Sequence, residues 1–140
     1  MTLDDILDNF EFLDDWEDKY RYVIELGRQM PPFADDKRTA ESKVEGCVSQ
    51  VWLVKKIDLL NGKPVLTYQG DSDAHIVKGL VALVLSALSG RSASDILNFD
   101  MQALFDRIGL REHLTPQRSN GLNAMVNRIK NDARAALEAA

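Results

Sequence analysis

Cys47 is the one thiol in a chain of 140 residues, so any thiol chemistry of this protein rests on it. It stands in Val44-Glu45-Gly46-Cys47-Val48-Ser49-Gln50-Val51-Trp52, at the border between a polar stretch and an extended apolar one. Gly46 removes side-chain bulk beside the sulfur and tolerates unusual backbone angles, which would let a reactive group on another protein come close. A free cysteine is equally at home as a small buried hydrophobe, and the residues alone leave both roles open. Lys43 favours the thiolate and Glu45 disfavours it. At an ordinary pKa of about 8.5 only a few per cent of the thiol is ionised at neutral pH. Lowering it to about 7 takes around 2 kcal/mol of differential stabilisation. Arg118, far away in the chain, is a candidate source of that stabilisation, or else a solvated arginine ahead of a helix.

The other groups offer weaker chemistry. His75 and His113 are the only imidazoles, and either could in principle pair with Cys47 in a stand-alone Cys–His enzyme. His75 falls in the first turn of a helix, and His113 in the charged run Arg111-Glu112-His113. A metal site of His75, His113 and Asp71 has no characteristic ligand spacing. Gly70-Asp71-Ser72-Asp73 lacks the lysine and the glycine spacing of a phosphate-binding loop. A single cysteine excludes an internal disulfide and a multi-thiolate metal site built from one chain.

The elements that must position these residues can be read from periodicity. Thr2, with Asp5 three residues on, caps a first helix whose stripe is Leu3, Ile6, Leu7 and Phe10. A second helix starts near Asp14 or Asp15, carries Trp16, Tyr20, Val23, Ile24 and Met30 on one face, is weakened by Gly27 and ends at Pro31-Pro32. Residues 33–42 read as a loop. The period then turns extended through Val48, Val51, Trp52, Leu53, Val54 and Ile57, with Trp52 assigned to the core. A type I′ turn at Asn61-Gly62 leads to a partner strand at Val65–Tyr68, and Pro64 suggests a sheet edge there. Pairing of Val44-Glu45 with this sheet is a further possibility.

Gly70-Asp71-Ser72-Asp73 is expected to turn the chain, with Asp73 as N-cap of an almost wholly apolar helix ending at Gly90. Ser92 with Asp95, and Asp100, cap two shorter helices, the latter carrying Met101, Leu104, Phe105 and Ile108. Ser119 is expected to cap a last helix with the stripe Leu122, Met125, Val126, Ile129 and Leu137. These elements give an α+β fold over residues 1–140: one domain, a small antiparallel β-sheet packed with helices.

Composition agrees with such a domain. Apolar residues make up 45% and charged residues 28%, and a chain of this length should bury roughly 70% of its unfolded surface. The net charge is −5, and eight acids precede the first base, Lys19. That argues against nucleic acid or an anionic membrane as partner, which needs clustered Lys and Arg. The N-terminus lacks the positive, then apolar, pattern of a signal peptide, and the apolar run Ile76–Leu88, broken by Lys78, is too short to span a bilayer. A cytoplasmic location is expected.

Gly46-Cys47-Val48-Ser49-Gln50-Val51-Trp52 and Gly70-Asp71-Ser72-Asp73-Ala74-His75-Ile76-Val77-Lys78-Gly79-Leu80 together resemble the SufE family, sulfur acceptors of iron–sulfur cluster assembly. Trp16-Glu17-Asp18-Lys19-Tyr20 with Ile24-Glu25-Leu26-Gly27, and Leu114-Thr115-Pro116-Gln117-Arg118-Ser119-Asn120-Gly121-Leu122, extend the resemblance over nearly the whole chain. It implies a fold shared with IscU-type scaffold proteins and a SufS-type cysteine desulfurase as partner, with Fe–S scaffold proteins downstream. Pyridoxal phosphate would belong to that desulfurase, and no cofactor is expected on this chain. The acceptor cysteine of the family falls on Cys47 and the arginine of its Pro-x-Arg-x-x-Gly pattern on Arg118. Gly46, Asp71, Asp73 and His75 fall on the surface implied for the partner; some family members carry a small residue at the His75 position. The implied role is a persulfide carrier and desulfurase activator rather than an enzyme, with a purely structural adaptor as the remaining alternative.

Overall fold

In the computed structural model, which describes residues 2–47 and 49–139 and Arg111 by its backbone alone, the first helix (α1, Leu3–Glu11) opens with a reciprocal cap. Thr2 Oγ1 accepts from the Asp5 N–H while the Asp5 carboxylate accepts from the Thr2 N–H, which satisfies two otherwise orphaned donors. The second helix (α2, Trp16–Arg28) is capped by Asp15, whose carboxylate accepts from the Asp18 N–H at 2.8 Å. Its buried face runs through Val23, Leu26 and Gly27, where it crosses the third helix (α3, His75–Leu88). Tyr20, expected on that face, is exposed, whereas Trp16 a turn earlier packs against the core. Gly27 has a packing purpose. A Cβ on it would stand 2.7 Å from the Gly79 nitrogen, and one on Gly79 would stand 2.0 Å from the Val23 carbonyl oxygen. The two backbones are in contact, and only glycine permits it.

Two ten-residue strands (β1, Val51–Leu60; β2, Lys63–Ser72) form an antiparallel hairpin in unbroken register from Val51↔Ser72 to Leu60↔Lys63. Asn61 and Gly62 both have positive φ, 54° and 78°, as a type I′ turn requires. Val48, placed on the first strand by sequence, lies outside the described residues. A third strand of two residues (β3, Arg91–Ser92), too short to show as a period, pairs with Val65 and Leu66, giving the order β1-β2-β3. Pro64 is therefore in the central strand, not at an edge. By strand alternation its nitrogen faces the β3 side, where pairing has already ended, so no ladder bond is lost. The chain ahead of β1 does pair with the sheet, but at Ser42–Val44 rather than Val44-Glu45: Lys43 bridges Trp52, the Val44 N–H donates to the Val51 carbonyl, and Glu45 lies in a turn.

Gly70, Asp71 and Ser72 complete β2 rather than forming a turn. Gly70 lies flat under α3, and a Cβ there would meet Val81 at 2.7 Å. Nor is Asp73 an N-cap: α3 starts from Ala74 with no side-chain cap, and the Asp73 carboxylate is engaged elsewhere. Trp52 is half-buried on the sheet face away from α3, with the Arg38 guanidinium 5.6 Å from its ring centre, so it is not part of the core.

Two short helices follow (α4, Ala93–Asn98; α5, Met101–Arg107), capped by Ser92 and Asp100 as their spacing predicts. The last helix (α6, Pro116–Ala139) begins three residues before the expected Ser119. Pro116 occupies the first helical position, and Thr115 Oγ1 accepts from the Arg118 N–H at 3.3 Å. Nine residues of α3 are buried among α2, the sheet and α6, so this helix is the centre of one hydrophobic core. The fold is α+β: a three-stranded antiparallel sheet covered by helices. Among the described residues no helix is long and apolar enough to cross a membrane.

Candidate functional site

Cys47 sits on a short arch whose two ends are pinned. Upstream, the Val44 N–H donates to the Val51 carbonyl at 2.8 Å and the Leu53 N–H to the Ser42 carbonyl at 2.8 Å. Arg128, from α6, donates to the carbonyls of Glu41 (2.6 Å) and Lys43 (3.1 Å). Downstream, the Gln50 N–H donates to the Asp73 carboxylate at 3.0 Å, and Ser72 Oγ donates to the Gln50 carbonyl at 2.7 Å. Between these anchors Gly46 takes φ 92°, a left-handed conformation costly for any residue with a Cβ. It turns Cys47 towards α6.

The thiol lines a cleft of about 200 Å³. Val77 and Leu80 of α3 with Leu122 and Met125 of α6 make its apolar wall. Ser49, Thr115, Gln117 and Arg118 make its polar side. Cys47 Sγ is 3.4 Å from the Gly121 carbonyl oxygen, to which the S–H donates. Gly121 packs directly against the sulfur: a Cβ there would make an ordinary van der Waals contact with Sγ at 3.4 Å. Burial pushes the Cys47 thiol above its ordinary pKa, because the thiolate loses solvation there. At rest the sulfur is thus a neutral, half-sheltered thiol.

Arg118 lines the same cleft from the first turn of α6. Its Nη1 is buried and has no hydrogen-bond partner among the described residues. A buried guanidinium nitrogen without an acceptor is costly, and a cation in the first turn opposes the helix dipole. An anion in the cleft would supply the missing acceptor.

The structure brings Cys47, Gly46 and Arg118 together and disperses the other sequence candidates. Asp73 and His75 are exposed, Asp73 holding the far anchor of the arch and His75 opening α3. Asp71 is buried, with Arg38 Nη2 at 2.6 Å from one carboxylate oxygen and Lys78 Nζ at 3.5 Å from the other. That environment makes Asp71 a tie between the 35–43 segment, β2 and α3, not a contact open to a partner. Neither imidazole lines the cleft; the His113 ring stacks on Trp16 at 4.3 Å. Among the described residues no group of three or more His, Cys, Asp or Glu side chains is placed to hold a metal ion. Sequence reasoning missed the roles of Arg128 and of Gly121. The sign available for the latter was its place as the glycine of the Pro-x-Arg-x-x-Gly pattern, three residues after Arg118.

The family model described as SufE, Fe-S metabolism associated domain, matches residues 4–133. The chain belongs to the SufE family. A SufE-like protein of Rhizobium etli is 56% identical over 133 residues, covering 95% of this chain and 90% of that one. Another, from Rhizobium meliloti strain 1021, is 54% identical over 138 residues, covering 99% of each. The solution structure of a hypothetical protein from Thermus thermophilus superposes with a TM-score of 0.74 at 23% identity over 99% of both chains, a likeness of fold. The SufE-family match runs from α1 into α6, so it contains the arch, the cleft and Arg118.

Proposed function

We propose that this SufE-family chain accepts sulfur as a persulfide on Cys47 from a SufS-type cysteine desulfurase, stimulates that enzyme by emptying it, and passes the sulfur on to an iron–sulfur scaffold protein. The observation that carries the reading is the shared cleft: the one thiol of the sequence lines it with a buried arginine nitrogen that has no partner among the described residues.

Each step follows from a residue. Cys47 loses its proton to solvent as the arch swings out from under Gly121, since leaving the cleft restores the solvation that burial removes. The thiolate attacks the outer sulfur of the desulfurase persulfide. The bond from that sulfur to the desulfurase cysteine breaks as the new bond to Cys47 forms, and the desulfurase leaves as a thiolate. There is no net oxidation. The product persulfide, a stronger acid than a thiol, is an anion. Returned to the cleft, it is shielded by the apolar wall and meets the Arg118 guanidinium and the first-turn amides of α6. Gly46 supplies the pivot, and the Asp73 and Arg128 anchors confine the motion to the arch. Pyridoxal phosphate and the carbon–sulfur cleavage stay with the desulfurase.

The test is alanine formation from cysteine by a matched desulfurase, with and without this protein. Wild type should raise turnover and Cys47→Ser should not. Equal stimulation by the two would leave an adaptor in which the thiol is packing.

A further inference from the structure

The outer edge of β1 is covered only at its start. The 42–44 segment pairs with Val51 and Leu53, and beyond Leu53 no backbone partner follows among the described residues. Lys55–Leu60 are all exposed, and Ile57, Leu59 and Leu60 are 44%, 66% and 57% accessible. Half of the six large apolar side chains exposed among the described residues thus fall within four positions on one strand. A row of unpaired backbone groups flanked by apolar side chains is a template for another strand.

Which strand fits can be read from parity and charge. The Val51 carbonyl and the Leu53 N–H both point to the outer edge. In an unbroken strand the odd residues Lys55, Ile57 and Leu59 do the same. A second copy laid antiparallel with its Ile57 opposite this Ile57 would exchange both N–H···O bonds between those residues, and likewise between Lys55 and Leu59 of either copy. The even residues then form the closely spaced, non-hydrogen-bonded pairs. In that register Lys56 of each copy lies opposite Asp58 of the other, twice over, because the segment Lys56-Ile57-Asp58 is charge-complementary to its own reverse. Within one chain these two side chains are on one face, 3.9 Å apart and 76% and 50% exposed, so both can be shared across the edge.

We propose that the Lys55–Leu59 edge is a self-association surface, joining two copies into a continuous six-stranded sheet about a two-fold axis at Ile57. The axis lies six residues from Val51, about 20 Å along the strand from the anchor of the Cys47 arch. Both sulfur sites of the pair therefore remain open, and the interface is independent of the proposed persulfide role.

Charge reversal tests the register. Lys56→Asp alone, or Asp58→Lys alone, places like charges opposite each other twice and should weaken self-association by roughly tenfold or more. An equimolar mixture of these two variants makes both pairs attractive again, as does the double reversal, and each should recover dimer formation. Sedimentation equilibrium from micromolar to millimolar chain, with circular dichroism to check the fold, reads all four. A wild-type monomer throughout, a dimer indifferent to the reversals, or single variants that do not associate when mixed overturns the proposal. So would edge amides of Ile57 and Leu59 that become protected from hydrogen exchange only when desulfurase is added, which would assign the edge to a foreign strand.

Discussion

Replacing Gly121 by alanine isolates the contact that shelters the thiol. The added methyl would lie 3.4 Å from Cys47 Sγ and 3.8 Å from its Cα and Cβ, ordinary van der Waals distances, so no clash is introduced. Glycine to alanine inside a helix stabilises by about 0.8 kcal/mol. The methyl, touching Cys47 on one side, adds roughly 0.4–0.8 kcal/mol, at most the value of a fully buried CH₂. The sum is a little over 1 kcal/mol, a rise in Tm of about 4 °C for a chain of this size. Only the second contribution bears on the arch, because opening the arch breaks the methyl contact and leaves the helix intact. Iodoacetamide labelling of native Cys47, which requires opening, should therefore slow by roughly two- to fourfold. Gly121→Ala should thus be more stable and less reactive together, by unequal free energies. A higher Tm with unchanged or faster labelling would show that Cys47 is not held against Gly121.

Arg118→Met should leave stability equal or slightly higher, since it removes a buried donor that has no acceptor among the described residues. Sulfur transfer from desulfurase should fall by about tenfold, the loss of roughly 1.5 kcal/mol of charge-assisted binding; a large drop in urea midpoint would instead make Arg118 a structural residue. Gly79→Ala drives a methyl into the Val23 carbonyl and should cost at least about 2 kcal/mol in urea unfolding, despite alanine's better helix propensity. Cys47 and Tyr68 are both raised, Cys47 by burial, Tyr68 by burial and then by its hydrogen bond to Asp132 at 2.8 Å. The folded chain therefore keeps protons that the unfolded chain releases from about pH 8.5 for Cys and 10 for Tyr. Stability should hold below about pH 8.5 and decline steadily above it, and Tyr68→Phe should flatten the decline beyond about pH 10; a midpoint constant to pH 10.5 would contradict this.

Most elements were legible because local rules and tertiary packing agree on them. Thr2, Asp15, Ser92 and Asp100 sit before apolar stripes at capping spacing, and Asn61-Gly62 can do little but make a hairpin turn. The errors came where a side chain that could serve its own neighbours serves a distant one. Asp73 has the chemistry of an N-cap, yet its carboxylate is taken by Gln50, 23 residues away. Gly70-Asp71-Ser72 has turn composition, yet Gly70 is selected by the approach of α3 and Asp71 by Arg38 and Lys78. β3 exists only because Gly90 and Arg91 return beside Leu66, which two residues cannot announce.

For the site, Cys47 and Gly46 could be singled out from type and position, and Arg118 from the family pattern. Their meeting could not, because 71 residues separate Cys47 from Arg118 and it takes α6 lying against the arch to join them. The resting charge of the thiol was equally out of reach. Lys43 and Glu45 are the sequence neighbours, but burial against Gly121 decides it.

The central claim is that Cys47 carries sulfur. Intact mass after incubation with a matched, active cysteine desulfurase and cysteine, on wild type and Cys47→Ser, tests it most directly. Wild type alone should gain about one sulfur atom, lost on reduction. No gain on wild type, or an equal gain on the serine variant, would contradict it.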